Sequence, residues 1–214
     1  MTRLLIIRHG QSEANKNHIF AGHFDAPLSE LGCAQAERTA CYIAENYRVS
    51  AVYASDLQRA YHTGRAVADR LGLDVVTDEQ LREIYAGEWE GVTFEELAVR
   101  YPEEYGLWRF DIGLARCVGG ESLGEVWERA VRVARRIAKA HVGQTVVLAT
   151  HATVTRALQC EAMGVSLPEM KNVPYVSNAS VTVIDVDEDG KLTLIEAGHD
   201  AHMDELKSVL PPNV

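Results

Sequence analysis

Apolar residues in this chain fall into two patterns. Short continuous runs, rich in β-branched side chains, alternate with stretches in which apolar residues recur every three or four positions. The runs Leu4–Ile7, Ala51–Ala54, Leu73–Val76 and Thr145–Ala149 predict short buried strands. Between them the spacing predicts helices. One opens at Leu28–Gly32 and runs to about Tyr47, with Leu31, Ala34, Tyr42 and Ile43 on its apolar side. Ser55 with Gln58 has the pattern of a capping box and starts a helix to Leu71, closed by Gly72. Thr93 with Glu96 does the same for a helix to about Tyr101. Ser122 with Glu125 begins a long helix to about His141, with Val126, Ala130, Val133, Ala134 and Ile137 at helical spacing. A helix after Thr150-His151-Ala152 runs to Met163 and ends at Gly164, and Ser180–Val186 and Lys191–Ala197 form a hairpin around Asp187–Gly190. Three stretches lack a period. Gln11–Pro27 reads as a loop, or as a short helix and a loop. Leu81–Gly91 reads as a loop, and Pro102–Gly120 as an irregular lid or binding segment. Leu210–Val214 has the look of a loose tail.

Strands alternating with helices predict an α/β three-layer sandwich: a mainly parallel sheet with one antiparallel strand from the final hairpin and helices on both faces. The whole chain, 1–214, reads as one domain with a lid or specificity region at about 93–120. Open α/β sheets bind ligands beyond the carboxyl ends of their strands. Three strands deliver polar side chains there: Arg8 and His9 after Ile7, Ser55 and Arg59 after Ala54, and His151 after Ala149. Right-handed crossovers bring these ends to one edge. The glycine after His9, Gly10, is expected to leave room for a ligand's oxygens.

Composition narrows the function. With 21 basic and 31 acidic residues the net charge is −10, which argues against nucleic-acid or anionic-membrane binding but leaves room for a small basic pocket. Cys33, Cys41, Cys117 and Cys160 show no CxxC spacing and read as reduced cytosolic thiols. The apolar run near the N-terminus is far short of a signal-peptide core, and no window approaches a membrane span, so a cytoplasmic protein is expected. His199-x-x-His202 lacks further ligands at suitable spacing for a metal, and no metal or cofactor is expected. Oligomeric state stays open, a homodimer included.

Two histidines and two arginines at one sheet edge make a positive pocket suited to a phosphate or carboxylate, since each planar guanidinium can bind two oxygens. A neutral histidine is a competent nucleophile toward a phosphoryl group, and the departing alkoxide then needs a proton. Glu83 is the candidate donor, able to take a proton back from water in a second half-reaction. His18 and His23 lie in the loop facing the expected pocket. Tyr85, Trp89 and Trp108 read first as packing residues.

At these residues the chain resembles the histidine phosphatase superfamily, which includes cofactor-dependent phosphoglycerate mutases and many small phosphatases. The family's RHGxSxxN is matched by Arg8–Asn15, its S-x-L-x-R-A by Ser55–Ala60, its L-x-E-x-x-x-G-x-W-E-G by Leu81–Gly91, its GGES by Gly119–Ser122, and its second histidine by Thr150-His151, in the family's order. The resemblance implies a phosphorylated His9, with Arg8, Arg59 and His151 binding the phosphoryl group and Glu83 donating the proton. Asn15, Gly22 and Ala152 complete the substrate-binding set, and the substrate is a small phosphorylated metabolite. Ala152-Thr153 departs from the glycines many relatives carry there. The short 93–120 region, poor in basic residues, favours a phosphatase; a cofactor-dependent phosphoglycerate mutase is the alternative. Gly120–Gly124 also fits G-x-S-x-G, the nucleophile elbow of serine hydrolases, but Leu114–Gly119 is a poor strand to precede an elbow. A non-catalytic phospho-ligand binder would be expected to lack His9 or Glu83.

Overall fold

The structure, a computed structural model, describes residues 1–208. Its centre is a six-stranded sheet made of β1 (Thr2–Arg8), β2 (Val49–Ala54), β3 (Val75–Thr77), β4 (Thr145–Thr150), β5 (Val181–Val186) and β6 (Leu192–His199), in the order β3-β2-β4-β1-β5-β6. β1, β2, β3 and β4 run parallel, and β5 lies antiparallel to both β1 and β6. One strand therefore opposes the rest, as the terminal hairpin requires.

Alternation along the central strands assigns the two faces. Leu5, Ile7, Val52 and Val147 point toward Ala40 and Ile43 of α2 (Glu30–Asn46) and Val67 and Ala68 of α3 (Gln58–Leu71). Leu4, Ile6, Val146 and Leu148 point toward Val126, Ala130 and Ala134 of α6 (Leu123–Ala140) and toward Val154 and Leu158 of α7 (Ala152–Met163). The four apolar residues of β1 are 0% exposed, and each such burial is worth roughly 1.5–3 kcal/mol. That rigid strand ends at the site.

The register decides whether the polar strand ends meet. Ala54 pairs with Ala149, and Ala149 with Ile7, so β1, β2 and β4 terminate side by side. Arg8, His9, Ser55 and His151 emerge from one line of backbone.

Two expectations need correction. Pro102–Phe110 is a helix, α5, following α4 (Phe94–Arg100), where an irregular segment is expected. Proline at its first position costs no hydrogen bond there, and Tyr105 and Trp108 bury its inner side. Ser55 does not cap α3. The helix starts at Gln58 with no cap from its own neighbourhood; the carboxylate of Asp25 accepts from the Gln58 N–H at 2.7 Å. The capping boxes at Thr93/Glu96 and Ser122/Glu125 are present, and Ser12 with Asn15 forms another at α1 (Glu13–Lys16). The stretch Leu210–Val214 lies outside the described residues. No helix among the described residues is long and apolar enough to cross a membrane.

Candidate active site

His9 follows β1 and is 4% exposed. Its Nδ1 lies 2.7 Å from the Gly10 carbonyl oxygen. A carbonyl only accepts, so Nδ1 carries the ring proton and Nε2 keeps its lone pair. Burial first, then the guanidinium groups of Arg59 and Arg8, hold the His9 pKa well below the usual histidine range, so the ring is neutral. The backbone on either side is fixed: His9 N–H donates to Thr150 O at 2.9 Å and Gly10 N–H to Thr63 Oγ1 at 3.1 Å.

Gly10 serves a different purpose from the one expected. A Cβ there would sit 2.4 Å from the carbonyl oxygen of Gly32, so the missing side chain lets α2 start against the β1 loop and makes no room for a ligand.

Arg8 and Arg59 are both 1% exposed. Arg8 donates to Val176 O at 2.7 Å and its guanidinium carbon stands 4.9 Å above the centre of the Tyr175 ring. Arg59 donates to the carbonyls of Gly22 at 2.7 Å and Phe24 at 3.1 Å. Burial lowers its pKa to about 10, against the opposing pull of Glu83, Asp25 and Glu90; it remains cationic at neutral pH. Gly22 adopts φ +52°, and a Cβ there would lie 2.6 Å from the Ala86 Cβ, so only glycine presents this carbonyl to Arg59.

The Asn15 amide oxygen accepts from Ser12 N–H at 3.2 Å and from the Asn178 side-chain amide at 3.3 Å. Those two bonds fix the orientation of an amide that lines the cavity. Glu83 Oε1 accepts from Ile84 N–H at 2.8 Å, and Oε2 lies 3.5 Å from the Thr153 N–H at the start of α7.

Arg8, His9, Asn15, Gly22, Arg59, Glu83 and Ala152 line one cavity, together with Thr153, Tyr175 and an apolar wall of Ile19, Phe20, Ile84, Phe94 and Trp108. His151 is the exception among the expected site residues. It is 0% exposed and stands behind His9, ring centroids 5.1 Å apart in an edge-on arrangement. Its Nε2 is 2.9 Å from Ser55 Oγ, and its Nδ1 is buried without a hydrogen-bond partner. Burial and the charge of Arg59 push its pKa well below the usual range, so it too is neutral.

Several contributors escape sequence reasoning. Asn178 donates to His9 O at 3.0 Å, and the Ala179 N–H donates to Arg8 O at 2.9 Å from a backbone with φ +58°. No motif surrounds these residues, and their loop is brought to β1 only by the antiparallel β5. His18 and His23 stay out of the cavity lining; His23 Nε2 donates to Glu83 O at 2.9 Å. Trp89 is core, 0% exposed, whereas Trp108 packs at 4.8 Å on Phe20 and also faces the cavity. His199 and His202 are not turned on a common ion: they stack on Tyr42, with His199 bonded to Glu196 and His202 to Thr39. Ser122 is held by Glu125 at the start of α6, behind no strand, so the serine-elbow pattern is only a helix cap.

Residues 4–196 match the family model of the histidine phosphatase superfamily, branch 1. The chain belongs to this superfamily. It is 33% identical over 188 residues to phosphoserine phosphatase 1 of Hydrogenobacter thermophilus, covering 88% of each chain. It is 32% identical over 206 residues to phosphoglycerate mutase-like protein 4 of Arabidopsis thaliana, covering 94% of this chain and 87% of that one. Among solved structures, YhfR of Bacillus stearothermophilus matches with a TM-score of 0.90 at 30% identity, over 95% of this chain and 100% of that one. In this histidine phosphatase the cavity thus sets two buried cationic side chains beside a neutral histidine.

Proposed function

We propose that this chain hydrolyses small phosphomonoesters in two steps through a phosphohistidine on His9. The observation that carries the reading is the 2.7 Å contact between His9 Nδ1 and Gly10 O, which keeps Nε2 unprotonated at the cavity end where Arg8 and Arg59 converge. In the first step Nε2 attacks phosphorus and the ester P–O bond breaks. Arg8, Arg59 and the Asn15 amide hold the equatorial oxygens, whose charge must be stabilised as the phosphoryl group transfers. The N-terminus of α7 at Ala152 adds a favourable dipole. Glu83 gives a proton to the departing oxygen. In the second step water attacks phosphorus, Glu83 takes its proton, and the His9–phosphorus bond breaks. His151 acts from behind His9, with its ring packed edge-on against the nucleophile's and its Nε2 held at Ser55 Oγ.

The cavity wall argues for hydrolysis over isomerisation of phosphoglycerate. Beyond Arg8 and Arg59 its lining combines the polar His9, Asn15, Glu83, Thr153 and Tyr175 with small residues and an apolar wall of Ile19, Phe20, Ile84, Phe94 and Trp108, and among the described residues holds no further lysine or arginine for a substrate carboxylate. The helices α4 and α5, in the 93–120 region, supply Phe94 and Trp108 and thereby act as the specificity segment. A net charge of −10 argues against a nucleic-acid or anionic-membrane partner, and four cysteines without CxxC spacing support a cytoplasmic enzyme.

Hydrolysis of p-nitrophenyl phosphate in the presence of a chelator tests the reading. His9→Ala is expected to lower kcat by about a thousandfold or more, and Ser122→Ala to leave it near the parent value. Retained activity in His9→Ala, or efficient isomerisation of 3-phosphoglycerate without phosphate release, would overturn it.

A further inference from the structure

The GGES segment, Gly119–Ser122, has no task in the chemistry above, and neither has Arg129 on α6. They meet at the backbone that carries Glu83. Arg129 Nη1 donates to the carbonyls of Gln80 at 2.9 Å and Arg82 at 2.6 Å, and Nη2 donates to the carbonyl of Glu83 itself at 2.8 Å. The remaining two donors, Nε and Nη2, form a two-point pair with Glu121 at 2.9 and 3.0 Å. All five N–H donors of the guanidinium are therefore engaged, three of them by carbonyls on or beside the Glu83 loop and two by Glu121. Glu121 closes the circuit, since its Oε2 accepts from the Tyr85 N–H at 2.8 Å while its own N–H donates to Tyr85 O at 2.8 Å. Gly120 makes that approach feasible: a Cβ there would lie 2.2 Å from Tyr85 O. The pair is well shielded, with side chains 11% exposed for Arg129 and 24% for Glu121.

We propose that Arg129, braced by Glu121, is a positioning residue that fixes the Glu83 backbone so that its carboxyl group reaches the leaving oxygen. The proposal rests on the reading of Glu83 as proton donor. Lysine cannot replace the arginine. It keeps the charge but has three donors on a single nitrogen, which cannot span three carbonyls and a carboxylate.

The test is the dependence of kcat/KM on the leaving group. This ratio covers the steps up to alcohol release, so hydrolysis of the phosphoenzyme does not enter. p-Nitrophenolate departs readily without a proton; the alkoxide of glycerol 2-phosphate does not. Arg129→Lys is expected to keep most of kcat/KM for p-nitrophenyl phosphate and to lose about tenfold to a hundredfold for glycerol 2-phosphate, the cost of a misplaced catalytic group. Glu83→Gln should show the same selectivity more strongly. Glu121→Gln, which retains an acceptor but not the charge, is the second variant should Arg129→Lys fold poorly. Equal losses on both esters, or no loss on either, would overturn the positioning role. Selectivity in Glu83→Gln but not in the two clamp variants would remove the clamp alone. No selectivity in Glu83→Gln would remove the proton-donor reading and the proposal with it.

Discussion

His9 and His151 are both neutral because burial, reinforced by the charge of Arg59, disfavours their protonated forms. Their folded pKa values lie well below the unfolded value of about 6.5. The unfolded chain therefore binds more protons as the pH falls below about 6.5, and stability present above that pH is lost on acidification until the folded values are reached. Each histidine should contribute a slope of about 1.4 kcal/mol per pH unit in that window. Urea midpoints from pH 7.5 to 5 should fall, and His151→Gln should make the fall shallower; an unchanged slope would contradict the buried neutral state. At this scale the sequence shows the cavity residues well. Arg8, His9, Arg59 and Glu83 arrive where their motifs suggest, because each is tied to a strand end or helix start nearby. Ser55 does not follow its pattern. The serine-x-x-glutamine spacing is satisfied by a hydrogen bond to His151 across 96 residues, a partner that local reasoning has no means to see.

Among the elements, α3 depends on a residue from outside its own sequence. Asp25 caps it through the Gln58 N–H at 2.7 Å and accepts from the Gln58 side chain at 3.1 Å. Arg59 is the next residue and donates to Gly22 and Phe24 of the same loop, so the α1–α2 connection is tied to the cation proposed to bind the phosphoryl group. Asp25→Ala is expected to cost about 1 kcal/mol of stability, as for loss of an N-cap. It should also raise KM for p-nitrophenyl phosphate more than it lowers kcat. Denaturant titration and steady-state kinetics check both; loss of stability with unchanged KM would separate the cap from the site. The strands and long helices were legible because their hydrophobic periods are uninterrupted. The helix α5 was not, because glycine and three aromatic residues in Pro102–Phe110 mask its period, and the burial of Tyr105 and Trp108 against Phe20 and Trp89 overrides weak propensity.

Over the whole molecule, the parallel register of β1, β2 and β4 converts three sequence-distant motifs into one site. The mainly parallel sheet with one opposing strand was foreseeable from the alternation of strands and helices; the order β3-β2-β4-β1-β5-β6 was not. The antiparallel β5 also adds what was not foreseeable: it carries the Tyr175–Ala179 loop onto β1, which brings Tyr175 to the pocket lining and sets Asn178 against the His9 carbonyl, and no motif links either to the site. A chain of net charge −10 thus holds two nearly inaccessible arginines at the end of its central strand, supported by backbone carbonyls and with the acid loop opposite. The central claim is that His9 Nε2 becomes bonded to phosphorus. Rapid quenching of the enzyme with a labelled phosphomonoester, followed by peptide mapping under alkaline conditions that preserve phosphohistidine, tests it most directly. One labelled site is expected, on His9, forming and decaying at rates compatible with turnover and absent in His9→Ala. Label on another residue, or turnover of the ester with no covalent phosphoenzyme at any time point, would contradict it.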